Sequence, residues 1–153
     1  MVVGDGGILA PGNSPGTLVI DSDLVFSNAA VLRFELNATN MVAGLGINDL
    51  VTGINNLTLD GILNVTWTGD ITNNASAGDY WALLQYDGTL VGDFGVDLSS
   101  LPDISGLGLT WYIDTTTVAN QVGLAVVIPE PSTWALMLTG LGLVGWMARR
   151  RRR

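Results

Sequence analysis

From Gly7 to Val127 the apolar residues fall in short runs punctuated by Gly, Asn and Asp, and no stretch before Ser132 carries a helical stripe. That pattern restricts the body of the chain to β structure, because such runs are too short for amphipathic helices and are rich in Val, Ile, Leu, Thr and aromatics. The spacing predicts strands at Thr17–Ile20, Leu24–Phe26, Val31–Leu36, Leu57–Leu59, Ile62–Trp67, Tyr80–Tyr86, Leu109–Asp114 and Gln121–Val127. Period-two alternation supports two of them directly. Leu32, Phe34 and Leu36 share one face while Arg33 and Glu35 share the other, and Leu63, Val65 and Trp67 alternate with Asn64 and Thr66.

The chain has 153 residues, room for one domain and a tail. It contains no Cys, His or Lys. A thiolate nucleophile, an imidazole base, a Schiff-base amine, a Cys/His zinc site and a disulfide are therefore all excluded. Five of the six arginines are the last five residues. Residues 1–148 carry one Arg against 14 carboxylates, a net charge of −13. A body so acidic repels phosphate backbones and excludes nucleic acid as a partner. No cofactor site is expected.

Two stretches, Gly16-TLVIDSDLVF and Asn56-LTLDGILNV, each read as strand, acidic turn, strand. Such internal similarity favours stacked rungs, the pattern of repeat folds. The segments Gly7-ILAPGNSPGTLVI, Val31-LRFEL, Asn48-DLV, Leu57-TLDGILNV, Tyr80-WALLQYDGTLVG and Gln121-VGLAVV resemble the terminal rungs of autotransporter-type β-helix proteins. The resemblance implies an all-β fold with a right-handed parallel β-helix or β-solenoid-like body. A β-sandwich or jelly roll is the alternative. The expected division is a β-rich extracytoplasmic domain over 1–127, followed by residues 128–153. Met1-VVGDGG lacks the basic and apolar regions of a signal peptide and opens within a rung-like pattern, so a longer native protein with its own export signal is expected.

From Ser132 to Ala148 no residue is charged. As a helix these 17 residues would span ~25 Å, near the lower limit for a hydrocarbon core. Trp134 and Trp146 sit near the two ends, where indoles favour the membrane interface. Arg149, Arg150, Arg151, Arg152 and Arg153 then form a block that stays cytoplasmic under the positive-inside rule and leaves residues 1–131 outside. A single C-terminal transmembrane α-helix over 132–148 is thus expected, with the lipid bilayer as its partner. Ahead of it, Pro129 and Pro131 disfavour helix and leave Pro129-Glu130-Pro131 extended.

The order Pro-Glu-Pro, apolar helix, terminal arginines in VIPEPSTWALMLTGLGLVGWMARRRRR resembles the PEP-CTERM sorting signal of Gram-negative bacteria. The resemblance implies recognition of Pro129, Glu130 and Pro131 by an exosortase, a membrane cysteine transpeptidase. It implies passage through the inner membrane to the cell surface or extracellular matrix, and a host that makes exopolysaccharide and biofilm. The expected function is that of a non-enzymatic exported surface or matrix protein. A stably anchored bitopic protein, or a fragment of a β-helical adhesin or polysaccharide-active enzyme, is the alternative.

Other candidates read more simply as structure. Asp21 with Asp23, and Asp93 with Asp97, are spaced like solvated turn acids rather than paired glycosidase carboxylates or a Ca²⁺ loop. Arg33 and Glu35 read as a surface ion pair. The Asn-x-Ser/Thr triplets at Asn37, Asn56, Asn64 and Asn74 are expected by chance in a chain rich in these residues.

Overall fold

Strand formation in this chain is paid back mainly by stacking between turns of the chain rather than by local hairpins. The computed structural model describes residues 1–12, 15–92 and 96–129. The strands are β1 (Val2–Val3), β2 (Ile8–Leu9), β3 (Thr17–Phe26), β4 (Val31–Asn37), β5 (Leu50–Thr58), β6 (Ile62–Thr68), β7 (Tyr80–Tyr86), β8 (Leu90–Val91), β9 (Thr110–Asp114) and β10 (Gln121–Val127). The described residues are mostly β, with one helical turn, α1 (Ile71–Asn74), and a 3₁₀ turn at Ser105–Leu107.

Through β6 the chain alternates between two sheets. The larger has the order β1-β3-β5-β7-β10-β9, with β8 also on β5, and the smaller has the order β2-β4-β6. Pairing among β1, β3, β5, β7 and β8, and among β2, β4 and β6, is parallel. Strands β7, β10 and β9 then close the larger sheet in antiparallel fashion. Thr17 lies beside Leu50, Leu24 beside Leu57, and Leu57 beside Leu90, so the chain returns after 33 residues along β3, β5 and β8, and after 31 between β4 and β6. The two stretches that look alike in sequence stack only in part: Leu24 and Val25 of the first lie beside Leu57 and Thr58 of the second, and their matching halves are not in register. Gly16-TLVID sits beside Asp49-LVTG, and Asn56-LTLDGILNV runs through the end of β5 into β6.

The register places like on like inside. Leu9, Leu32 and Leu63 form one column across the smaller sheet, and all three are buried. Val3 and Phe26 form another, and Leu24 and Leu57 a third. Arg33, Asn64 and Thr66 are exposed on the opposite face, as the alternation requires. Each corner between the sheets is tight. Gly61 turns one at φ 95°, and a Cβ there would lie 2.5 Å from the Ala30 carbonyl oxygen, which only glycine avoids. At the lower end Trp67, Trp81 and Trp111 cluster, with ring centroids 5.1 to 6.2 Å apart. Trp81 Nε1 donates to the Asn37 carbonyl at 2.8 Å and Trp111 Nε1 to the Pro102 carbonyl at 2.7 Å.

The upper edge of β4 is sealed by side chains. Val31 N–H donates to Gly7 O above it and Ala38 N–H to Thr68 O below it, so the amides of Glu35 and Asn37 point up. Glu35 N–H donates to Asp49 Oδ2 at 2.7 Å and Asn37 N–H to Asn48 Oδ1 at 2.6 Å. Asp49 Oδ1 also accepts Gly16 N–H at 2.6 Å, and Asn48 Nδ2 donates to the carbonyls of Asn40 and Val42. Both residues are buried.

Candidate functional site

The site indicated by the sequence begins where the last strand ends. Strand β10 is interior to its sheet, with β7 on one side and β9 on the other. Val122 through Val126 are buried, and exposure then rises to 36% at Val127 and 64% at Ile128, with Pro129 exposed. The chain thus leaves a firmly paired strand and reaches open solvent at the first residue of the Pro-Glu-Pro motif. Proline suits that position, because it has no N–H to leave unsatisfied beyond the sheet.

The last strand is held in place by its neighbours. Tyr80 lies flat over Gly123, where a Cβ would fall 2.2 Å from the ring. Its hydroxyl donates to Gln121 Oε1 at 3.1 Å. Burial, aided by the nearby Asp114 carboxylate, pushes the Tyr80 hydroxyl up to about 12. Burial also works to raise the Asp114 carboxyl, but hydrogen bonds from Thr117 and Thr116 outweigh it and hold that group below the ordinary carboxylate range. The Asp114 Oδ1 accepts Thr116 N–H at 2.8 Å and Thr117 N–H at 2.9 Å. Between these groups and the exit lies an open cavity of about 470 Å³, bordered by Ala77, Asp79, Tyr80, Asp114, Val127 and Ile128.

Of the residues singled out for sorting, Pro129 is described and exposed. Glu130, Pro131, Trp134, Trp146 and Arg149 to Arg153 lie outside the described residues, as does the expected membrane span 132–148. Among the described residues no helix is long and apolar enough to cross a membrane.

The remaining acids are separated and engaged in structure. Asp21 sits at an irregularity of β3 with φ 50°, which breaks the simple alternation that would align it with Asp23. Asp23 Oδ1 instead accepts Asn56 N–H at 3.1 Å and Asn56 Nδ2–H at 2.9 Å. Asn56 Oδ1 in turn accepts Thr89 N–H at 3.0 Å, a polar ladder linking successive turns. Asp97 bridges to Ile62 and its Oδ1 accepts Ser99 N–H, which with the Ser99 side chain holds its carboxyl low; Asp93 is outside the described residues. No group of three or more acids among the described residues could hold a metal ion. The triplet residue Asn37 uses Oδ1 to accept from Thr39 and Asn40, and Asn74 donates to Asp70 O, whereas Asn64 is exposed on β6. The segment Asn48-DLV is among those that resemble rung motifs, but burial of Asn48 and Asp49 and their sealing of β4 were not foreseen from the sequence, where the pair looks like an ordinary polar turn.

Two comparisons bear on identity. Residues 127–153 match the family model of the PEP-CTERM protein-sorting motif. The body is similar to the "Adhesin BmaC autotransporter" of Brucella suis biovar 1 (strain 1330), with 38% identity over 128 residues. That alignment covers 80% of this chain and 3% of the adhesin, so the chain corresponds to a small part of its relative's length. No solved structure matches the chain. Residues 127–153 are therefore a PEP-CTERM protein-sorting motif, the mark of an exported protein, and they follow a β body similar in sequence to part of an autotransporter adhesin.

Proposed function

We propose that this chain belongs to a non-enzymatic, exported surface or extracellular-matrix protein, associated with exopolysaccharide in a biofilm. Its apolar segment 132–148 spans the inner membrane with the N-terminal body outside and Arg149–Arg153 in the cytoplasm. It stays there until an exosortase acts near Pro129-Glu130-Pro131. One observation carries the reading: the sorting motif is continuous with β10, and its first proline stands exposed immediately beyond the last paired residues. An extended, accessible peptide at the membrane surface is what a transpeptidase can take into a cleft. Glu130 offers a single charge for recognition just ahead of the expected helix N-terminus, where a negative charge is favourable.

The body is, on this reading, a right-handed parallel β-solenoid. Parallel pairing in two sheets at offsets of 31 to 33 residues supports it, as does the likeness to an adhesin. A non-enzymatic role is supported by Asp23, Asp49, Asp97 and Asp114, whose carboxylates all accept hydrogen bonds within the fold.

The motif's part is tested by replacing Pro129 and Pro131 with Ala in an epitope-tagged chain expressed with an exosortase. Processing is expected to fail while membrane insertion survives. A variant processed as fast as the parent would remove the motif from the account.

A further inference from the structure

Strand β9 is the outermost strand of the larger sheet, and no described strand pairs with its outer side. Which backbone groups face outward follows from β10. Gly78 N–H donates to Val126 O at 2.9 Å and Val126 N–H to Asp79 O at 2.9 Å, so the polar groups of Val126 point away from β9. In an antiparallel pair the partner of such a residue also directs its N–H and C=O away from the pair. Val126 lies opposite Trp111, and Leu124, of the same parity, lies opposite Ile113. The N–H and C=O groups of Trp111 and Ile113 therefore face out of the sheet, while those of Thr110, Tyr112 and Asp114 face β10.

Among the described residues, the edges of β3, β4 and β6 carry protecting side chains or a kink, and that of β9 does not. Asn48 and Asp49 seal the upper edge of β4. The upper edge of β3 is kinked at Asp21, whose φ is 50° and around which the register shifts, and it carries the charges of Asp21 and Asp23. The start of β6 is covered by Asp97, whose carbonyl accepts Leu63 N–H, and by Ser100, whose hydroxyl donates to Leu63 O. Strand β9, reading Thr110-Trp111-Tyr112-Ile113-Asp114, has no proline, no positive φ and no lysine; its one charge, Asp114, is buried and held by Thr116 and Thr117. Tyr112 at its centre is 42% exposed. A β-branched and aromatic edge without such devices is a template for strand addition.

We propose that two copies of this chain pair antiparallel through β9, about a two-fold axis at Tyr112. The register that uses the whole strand is complementary to itself. Trp111 of each copy stands opposite Ile113 of the other, and because both direct their backbone groups outward, the two pairs exchange four hydrogen bonds. Tyr112 meets its own equivalent at the close, non-hydrogen-bonded position, and Thr110 meets Asp114. Trp111 with Ile113 is aromatic with β-branched and Tyr112 with Tyr112 is aromatic with aromatic, combinations that favour pairing, and no like charges stand opposite each other. The result is an isologous interface that joins the two larger sheets into one. The −13 net charge of residues 1–148 opposes the approach of two bodies, so association strengthens as salt screens that repulsion.

The absence of cysteine from these 153 residues makes a direct test available. In the full-length protein in detergent, Tyr112→Cys places two thiols across the two-fold axis at a non-hydrogen-bonded pair, within reach of a disulfide. Leu45→Cys, at a residue 84% exposed and remote from β9 in the fold, is the control. Mild oxidation should give a covalent dimer with Tyr112→Cys, increasing with salt, and little with Leu45→Cys. Tyr112→Lys, which sets like charges opposite each other without touching the core, should abolish the dimer seen by sedimentation while the circular dichroism spectrum stays that of the parent. Equal cross-linking at the two cysteines, a monomer at every salt concentration, or association that persists unchanged in Tyr112→Lys would overturn the proposal. Capture of a foreign extended peptide in place of a second copy would do so as well.

Discussion

Asp49 shows how a single side chain can close a sheet. Its two oxygens accept the amides of Gly16 and Glu35, which otherwise point at nothing. Removing both acceptors in Asp49→Ala leaves two inward amides unpaired, at about 1–3 kcal/mol each. The expected loss of roughly 2–6 kcal/mol should appear as a lower denaturant midpoint with little change in slope. The ionisation of buried acids adds a pH dependence of mixed sign. Burial raises the Asp49 carboxyl, against the hydrogen bonds from Gly16 and Glu35, so its contribution favours the fold at low pH and fades as pH rises through its folded value. Asp114 is held low, so its contribution is present above the ordinary Asp value and is lost as pH falls through the lowered one. Asp97 and Asp103 are held low in the same way, by the serines two residues on. The lowered acids outnumber the raised one, and the melting temperature should fall on acidification below about pH 4. In Asp114→Asn, whose amide oxygen can still accept from Thr116 and Thr117, that acid-side fall should be shallower. An acid limb parallel to the parent's would show that Asp114 contributes no linkage.

At the scale of elements, stability comes from columns of side chains shared between turns. Leu57 stands beside both Leu24 and Leu90, so truncating it opens a cavity that neither neighbouring strand can close alone. Leu57→Ala should cost about 2–5 kcal/mol. Val19→Ala, at a residue 57% exposed on β3, should stay within about 0.5 kcal/mol. Similar unfolding midpoints for the two would mean that the columns are not where the stability lies. The same elements explain how much could be read in advance. Strands β7 and β10 were bounded correctly because each is a long apolar run between clear turn residues. The two predicted strands at 17–20 and 24–26 are one strand, since an irregularity at Asp21 lets β3 pass through an acidic stretch that looks like a turn. The first half of β5 was missed because Gly53 and Asn55 look like turn residues, and they do mark an irregularity, on either side of which the strand pairs in parallel with β3 and β7. Strands β1, β2 and β8 span two residues each and exist only through pairing with distant partners. Alternation is a local property and was legible, whereas the 33-residue register and the Asn48–Asp49 seal depend on contacts between turns and were not. At the exit, the motif was legible residue by residue, but its anchorage by Tyr80 over Gly123 was not.

For the whole molecule, charge and hydropathy are divided along the chain rather than mixed. An acidic β body ends in a firmly held strand, and the sorting motif starts within a residue or two of its rim. A rigid body joined this closely to the motif restricts how the peptide can be offered to an enzyme in the membrane. Inserting a flexible Gly-Ser segment between Val127 and Pro129 should therefore leave the fold intact but change the rate of processing. An unchanged rate would mean that the body takes no part in presenting the motif. The central claim is that the arginine-tailed segment is a sorting signal removed after export, and the most direct measurement is the intact mass of the epitope-tagged protein recovered from hosts with and without an exosortase. The account predicts a product that has lost its Arg149–Arg153 end only where the exosortase is present, and a full-length, membrane-bound chain where it is absent. A mature product that keeps its arginine tail in both hosts would contradict it.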